Sequence, residues 1–142
     1  MTAYLDASVL LPALVNEKAS EAVDKFLLAT SDDPPINDFA GAEVASAMSR
    51  LVRTSLLDTA DATTRLAAFD TWRATMTSTP AMAASDARLA DVFARRFDLM
   101  LRAPDALHVA ICRRLDLTLV TLDRRLARAA DSLGLRVQIP GT

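Results

Sequence analysis

Two apolar runs in this chain each stop at an aspartate and pass straight into a helical pattern, and this limits the fold more than anything else in the sequence. Ala3-Tyr4-Leu5 ends at Asp6, and a helical pattern begins at Ser8. Leu117-Thr118-Leu119-Val120-Thr121-Leu122, the best strand signal present, ends at Asp123 and leads into a helix over residues 124–133, with Gly134 as its C-cap. With the segments below, strands alternate with helices, which implies crossover connections. The expected fold is therefore α/β, with a short central, mainly parallel sheet flanked by helices on both faces.

The remaining segments fit that frame. Pro12 is tolerable only near the start of the first helix. Residues 19–30 space Ala22, Val23, Phe26 and Leu27 on one helix face, before Ser31-Asp32-Asp33-Pro34-Pro35 breaks the pattern. Residues 36–39 read as a strand. Residues 40–54 and 59–77 read as two helices packed antiparallel across a short connection. Ser85 or Asp86 caps a helix running to about Phe97, and Pro104-Asp105 opens one to Leu115, because proline at the first helical position forfeits no hydrogen bond. Arg136 to Ile139 closes as a strand. With 142 residues and no repeat or linker, the chain reads as a single domain over residues 1–142.

Charge and cysteine content exclude several classes. Sixteen basic residues stand against eighteen acidic ones, so neither a strongly basic coat nor an acidic disordered tail is present. Fourteen of the sixteen are arginine, whose guanidinium suits bidentate contact with phosphate. Residues 1–85 hold six basic and eleven acidic groups, and residues 86–142 hold ten and seven, so a polyanion is expected to meet the second half. Cys112 is the only cysteine, which rules out an intrachain disulfide, and no apolar run is long enough for a membrane span or shaped as an export signal. A cytoplasmic location is expected.

The carboxyl edge of a parallel sheet is where ligands bind, and Asp6 and Asp123 both sit there. Asp105 lies in the first turn of its helix. Glu43 shares a helix face with Ala40 and Ala47, small residues that leave room beside its carboxylate. Four carboxylates from four segments can thus meet in one cleft, where mutual repulsion favours a cation and all-oxygen ligands select a hard one such as Mg²⁺ or Mn²⁺. Taken singly, each acid also has a structural reading. Asp6 and Asp123 can cap helices, Asp105 can answer a helix dipole, and Glu43 can be a solvated helix acid. Ser8 and Thr121 can be a helix-start hydroxyl and a strand residue, or can hydrogen-bond a carboxylate.

His108 and Cys112 share a helix face with Asp105, but one histidine and one cysteine fall short of a zinc set, and His108 reads as a satisfied, semi-buried residue. With three glycines there is no P-loop, dinucleotide fingerprint or nucleophile elbow, and no H-E-x-x-H occurs.

Tyr4-Leu5-Asp6-Ala7-Ser8, Glu43 in a later helix, Pro104-Asp105-Ala106-Leu107-His108-Val109-Ala110 and Leu119-Val120-Thr121-Leu122-Asp123 have the order and spacing of PIN-domain ribonucleases. The chain resembles in particular the VapC-type toxins of bacterial toxin–antitoxin pairs. The resemblance implies that Asp6, Glu43, Asp105 and Asp123 form an acidic quartet around Mg²⁺ or Mn²⁺. It also implies an antitoxin partner and a toxin homodimer. Many relatives carry a further acid just after the last motif, where Arg124 and Arg125 stand here, which speaks against a second full metal site.

The function expected on this basis is metal-dependent endoribonuclease activity. Asp6, Asp105 and Asp123 bind the ion, Glu43 binds or orients a water on it, and that water attacks a phosphodiester in line. Arg102, Arg113, Arg124, Arg125 and Arg128 are the candidate RNA contacts. The rivals are a catalytically silent PIN-like module that binds RNA or protein, and a phosphodiesterase of the same fold without preference for RNA.

Overall fold

The two aspartate-terminated runs pair with each other in parallel, Ala3, Tyr4 and Leu5 standing opposite Thr118, Leu119 and Val120. They form strands β1 (Ala3–Leu5) and β2 (Thr118–Val120), and β2 is flanked on its other side by the parallel strand β3 (Val137–Gln138). The computed structural model describes residues 2–30 and 33–142. Around the sheet lie helices α1 (Ala7–Leu14), α2 (Ser20–Ala29), α3 (Asp38–Arg53), α4 (Thr59–Met76), α5 (Ala84–Ala94), α6 (Ala103–Leu115) and α7 (Arg124–Ser132), with a 3₁₀ turn at Phe97–Leu99. No helix among the described residues is long and apolar enough to cross a membrane.

Because successive side chains of a strand point to opposite faces, the sheet feeds two separate cores. Tyr4 and Leu119 enter one with Phe93, Val109, Ile111 and Leu126 from α5, α6 and α7. Ala3, Leu5 and Val120 enter the other with Leu10, Val23, Val44, Met48 and Phe69 from α1 to α4. Helices α3 and α4 are antiparallel, as expected: Arg73, near the end of α4, reaches Asp38 at the start of α3, Nη2 to Oδ1 at 3.0 Å. Gly41 makes room for that guanidinium, since a Cβ there would lie 2.5 Å from Arg73 Nη1.

Several local expectations are corrected. Residues 36–39 are not a strand. Asn37 accepts the Ala40 N–H through Oδ1 at 2.7 Å and caps α3, so Phe39 is already helical. Extended pairing is limited to a parallel bridge between Pro35 and Ser78, because proline brings no N–H to a ladder. Of the break before it, Ser31 and Asp32 lie outside the described residues. Pro12 is the sixth residue of α1 rather than one near its start, and the helix ends two residues later. Helix α5 begins at Ala84 without a side-chain cap. Asp86 instead accepts the Ala83 N–H at 2.8 Å and holds Arg114 through Nε and Nη2 at 2.7 and 2.9 Å. This guanidinium keeps the buried Asp86 carboxyl below the usual carboxylate range.

Candidate active site

The register of β1 on β2 builds the centre of the site. Leu5 faces Val120, so the next residue on each strand, Asp6 and Thr121, meet where both chains leave the sheet. Thr121 Oγ1 donates to Asp6 Oδ2 at 2.8 Å, and Ser8 Oγ donates to Asp6 Oδ1 at 2.6 Å. Ser8 Oγ in turn accepts the Leu122 N–H at 2.9 Å, and Thr121 Oγ1 accepts that of Asp123 at 3.0 Å. The two hydroxyls therefore tie the turn after β1 to the turn after β2. The Thr121 N–H still pairs with the Gln138 carbonyl of β3 at 3.1 Å, but the Leu122 N–H turns to Ser8 and the ladder ends there. Asp6 also caps α1, accepting the Ser8 N–H at 3.1 Å. Asp123 caps α7 through Oδ1, which accepts from Arg125 and Leu126. For both residues the capping role and the place at the sheet edge hold together.

Burial raises the Asp6 carboxyl above its ordinary range, and the Ser8 and Thr121 hydrogen bonds pull it partly back. Asp105, half-buried in the first turn of α6, is raised by burial first and then by the charges of Asp123 and Glu43, against the opposing pull of Arg102 and His108. Asp105 thus lies within the field of two of the other three acids. Among the described residues, however, no three His, Cys, Asp or Glu side chains stand together as a metal-holding group.

Glu43 projects from α3, and its Oε1 takes a hydrogen bond from His108 Nε2 on α6. His108, only 2% exposed, is wedged between the rings of Tyr4 and Phe39, whose centroids are 5.6 and 5.7 Å away. Tyr4 Oη lies 2.6 Å from His108 Nδ1 and accepts from Asn37 Nδ2 at 2.5 Å. A residue-by-residue reading of the sequence misses Tyr4 and Asn37. Strand alternation is the available signal for Tyr4, since residues 4 and 6 share a face. Cys112 is buried in the core, where desolvation and then the Asp6 charge push its thiol up, out of the range of an easily formed thiolate.

Among the arginines, Arg102 precedes α6 and its charge acts on Asp105, while Arg124 and Arg125 lie exposed beside Asp123, with Arg128 one turn further. Arg113 is turned elsewhere, onto the Leu133 carbonyl, with its guanidinium carbon 5.6 Å from the centre of the Phe93 ring.

The PIN domain profile matches residues 3–132, and the chain belongs to the PIN domain family. Comparison with curated proteins finds no match. Solved structures share the fold at low identity. The Mycobacterium tuberculosis toxin VapC20, described as cleaving the sarcin–ricin loop, is 14% identical with a TM-score of 0.72 over 90% of this chain and 95% of its own. FitAcB from Neisseria gonorrhoeae is 18% identical with a TM-score of 0.71 over 96% of both chains. VapBC2 from Rickettsia felis, bound to a DNA fragment from its promoter, is 16% identical with a TM-score of 0.71 over 99% of both.

Proposed function

We propose that this chain is the toxin of a toxin–antitoxin pair and that it hydrolyses RNA phosphodiester bonds with the help of Mg²⁺ or Mn²⁺. The observation that carries this reading is that Asp105 on α6 is raised by the charges of Asp123 and Glu43 from two other elements, while Asp6 directly follows the strand beside β2. Family membership and the toxins among the structural neighbours support it.

The donor set fits a hard divalent cation: carboxylate oxygens only, mutually repelling, from elements that the sheet register holds in place. Asp6, Asp105 and Asp123 are the residues that would hold the ion, with Glu43 beside it. When bound, such an ion offsets the charge that builds on the phosphoryl and leaving oxygens and makes water a better nucleophile. The chain supplies the rest. Ser8 and Thr121 lock the Asp6 carboxylate in one rotamer. Glu43 is the carboxylate left to orient an attacking water. Arg102, Arg124 and Arg125 offer phosphate contacts around the acids.

An antitoxin segment has an apolar groove of about 330 Å³ to enter, lined by Leu14, Leu27, Phe69 and Trp72 among others. A second copy of the chain would cover exposed apolar side chains such as Val92, Phe97 and Met100. The alternative, a silent binding module, draws on one observation: both Asp6 oxygens already accept hydroxyl hydrogen bonds. Incubating purified protein with RNA, with Mn²⁺ or with EDTA, separates the two. Cleavage that needs Mn²⁺ and is lost in Asp6→Asn supports the nuclease. RNA left intact by folded, Mn²⁺-supplied protein favours the silent module.

A further inference from the structure

The contacts around His108 form one directed chain. The Ala40 N–H donates to Asn37 Oδ1 at 2.7 Å, which fixes the amide so that Nδ2 points at Tyr4 Oη. With Asn37 donating into it, the phenol oxygen has its own proton left to give, and His108 Nδ1 at 2.6 Å is the acceptor in reach. A proton on Nδ1 would face that phenol proton and strand it in a buried site, at the cost of an unmade hydrogen bond. The imidazole proton therefore sits on Nε2, which points at Glu43 Oε1.

Resting on the reading of Glu43 as an active-site carboxylate, we infer that Asn37, Tyr4 and His108 are positioning residues: a relay that fixes the His108 tautomer and with it the Glu43 side chain. The relay joins three separate elements, α3, β1 and α6. Asn37 caps α3, Tyr4 lies in β1, His108 lies on α6, and Glu43 is one and a half turns into α3. A glutamate has three side-chain torsions to immobilise, and the Nε2–H donor holds one oxygen while the other stays available to ion or water. The arrangement has the logic of outer partners around metal carboxylates and histidines, whose loss lowers metal affinity or activity by about 10–100-fold.

The chain contains one histidine, so ¹⁵N-histidine labelling gives a spectrum with a single imidazole. The expected wild-type spectrum has Nε2 as the protonated, pyrrole-like nitrogen and Nδ1 as the pyridine-like one. Tyr4→Phe keeps the ring and removes the hydroxyl. It should leave Nε2 protonated on Glu43, shift the Nδ1 resonance as that nitrogen loses its donor, and lower the cleavage rate about tenfold. His108→Leu should lose about 10–100-fold in Mn²⁺ affinity or kcat, with KM for RNA little changed, and His108→Gln, which returns a donor to Glu43, should recover most of that loss. A role in packing alone would not separate kcat from KM or let Gln rescue. If His108→Leu does not fold, Tyr4→Phe and the wild-type spectrum carry the test.

A protonated Nδ1 in the wild type overturns the relay. So does cleavage that Glu43→Gln abolishes while Tyr4→Phe and His108→Leu leave it intact. A wild type that neither binds Mn²⁺ nor cuts RNA overturns the functional reading and the relay's catalytic role with it. The nitrogen spectrum of wild type and Tyr4→Phe then still decides whether Tyr4 donates to Nδ1.

Discussion

Asp105→Asn separates what an acid contributes to folding from what it contributes to binding. Among the described residues the Asp105 carboxylate accepts no hydrogen bond, and burial, Asp123 and Glu43 all oppose its charge. The amide removes that opposition and gives up the pull of Arg102 and His108 and a favourable interaction with the α6 dipole, the last worth about 0.3–1 kcal/mol. The ion-free variant should thus be as stable as wild type or more stable by up to about 1 kcal/mol, as is common when a functional strain is relieved. For a chain of this size 1 kcal/mol moves Tm by roughly 3 °C. The sign also depends on pH. A carboxyl raised in the folded state costs nothing below its unfolded value of about 4 and costs progressively more as pH rises through the folded value, so the gain should vanish in acid. With Mn²⁺ at a hundred times its wild-type Kd, binding adds about 2.7 kcal/mol, or roughly 9 °C. A variant binding 100-fold more weakly keeps only about 0.4 kcal/mol, roughly 1 °C, at the same concentration. Melting curves with EDTA and with Mn²⁺ read both effects. An ion-free Tm lowered by more than about 5 °C, or an undiminished Mn²⁺ shift, would refute this reasoning and make Asp105 a helix residue only.

Asp6→Asn should bind Mn²⁺ at least tenfold more weakly by calorimetry, with ion-free stability spared, because Asn still accepts from Ser8 and the Thr121 hydroxyl can turn to accept the amide. Asp86, held low by Arg114, contributes stability that is present above about pH 4 and lost as pH falls through its folded value. Arg114→Met should therefore melt lower than wild type at pH 7, and the gap should narrow toward pH 3. Cleavage by an attacking water leaves 5′-phosphate and 3′-hydroxyl ends, and a single 2′-deoxy sugar 5′ of the cut should not abolish it. A 2′,3′-cyclic phosphate with full resistance of the deoxy link would contradict that chemistry; a lone histidine, unable to form an acid–base pair, already disfavours the cyclic route. The protein encoded beside this one should shift the emission of Trp72, the only tryptophan, and Leu27→Glu should weaken that binding at least tenfold. A partner that binds with Trp72 silent and Leu27→Glu neutral lies elsewhere.

The strand-to-helix transitions at Asp6 and Asp123 are legible in the sequence because each couples a run of β-favouring residues to a carboxylate that can cap the helix beginning there. The start of α6 is legible from Pro104 for a similar local reason. Residues 36–39 mislead because an apolar residue beside two prolines looks extended, whereas the outcome turns on the single Asn37 cap bond. Asp86 reads as a cap because its long-range partner Arg114 is 28 residues away and invisible to local pattern. Tyr4 and Asn37 escape notice for the same reason: what gives them a role is His108, on a helix that only the tertiary fold brings to them. Arg113 reads like any other helix arginine until the Leu133 carbonyl and the Phe93 ring appear beside it.

The division of the interior into two cores has a consequence for the timing of biosynthesis. Asp6 and Glu43 belong to elements that pack with α1 to α4, whereas Asp105 and Asp123 belong to elements of the opposite core. Strand β1 is made long before β2, its neighbour in the sheet. A nascent chain stalled before residue 118 lacks β2, and with it the Thr121 hydroxyl that holds Asp6 and the Asp123 carboxylate. Emergence of residues 118–142 from the ribosome completes the sheet and sets Thr121 on Asp6, so the activity proposed above would be withheld from a product truncated before β2.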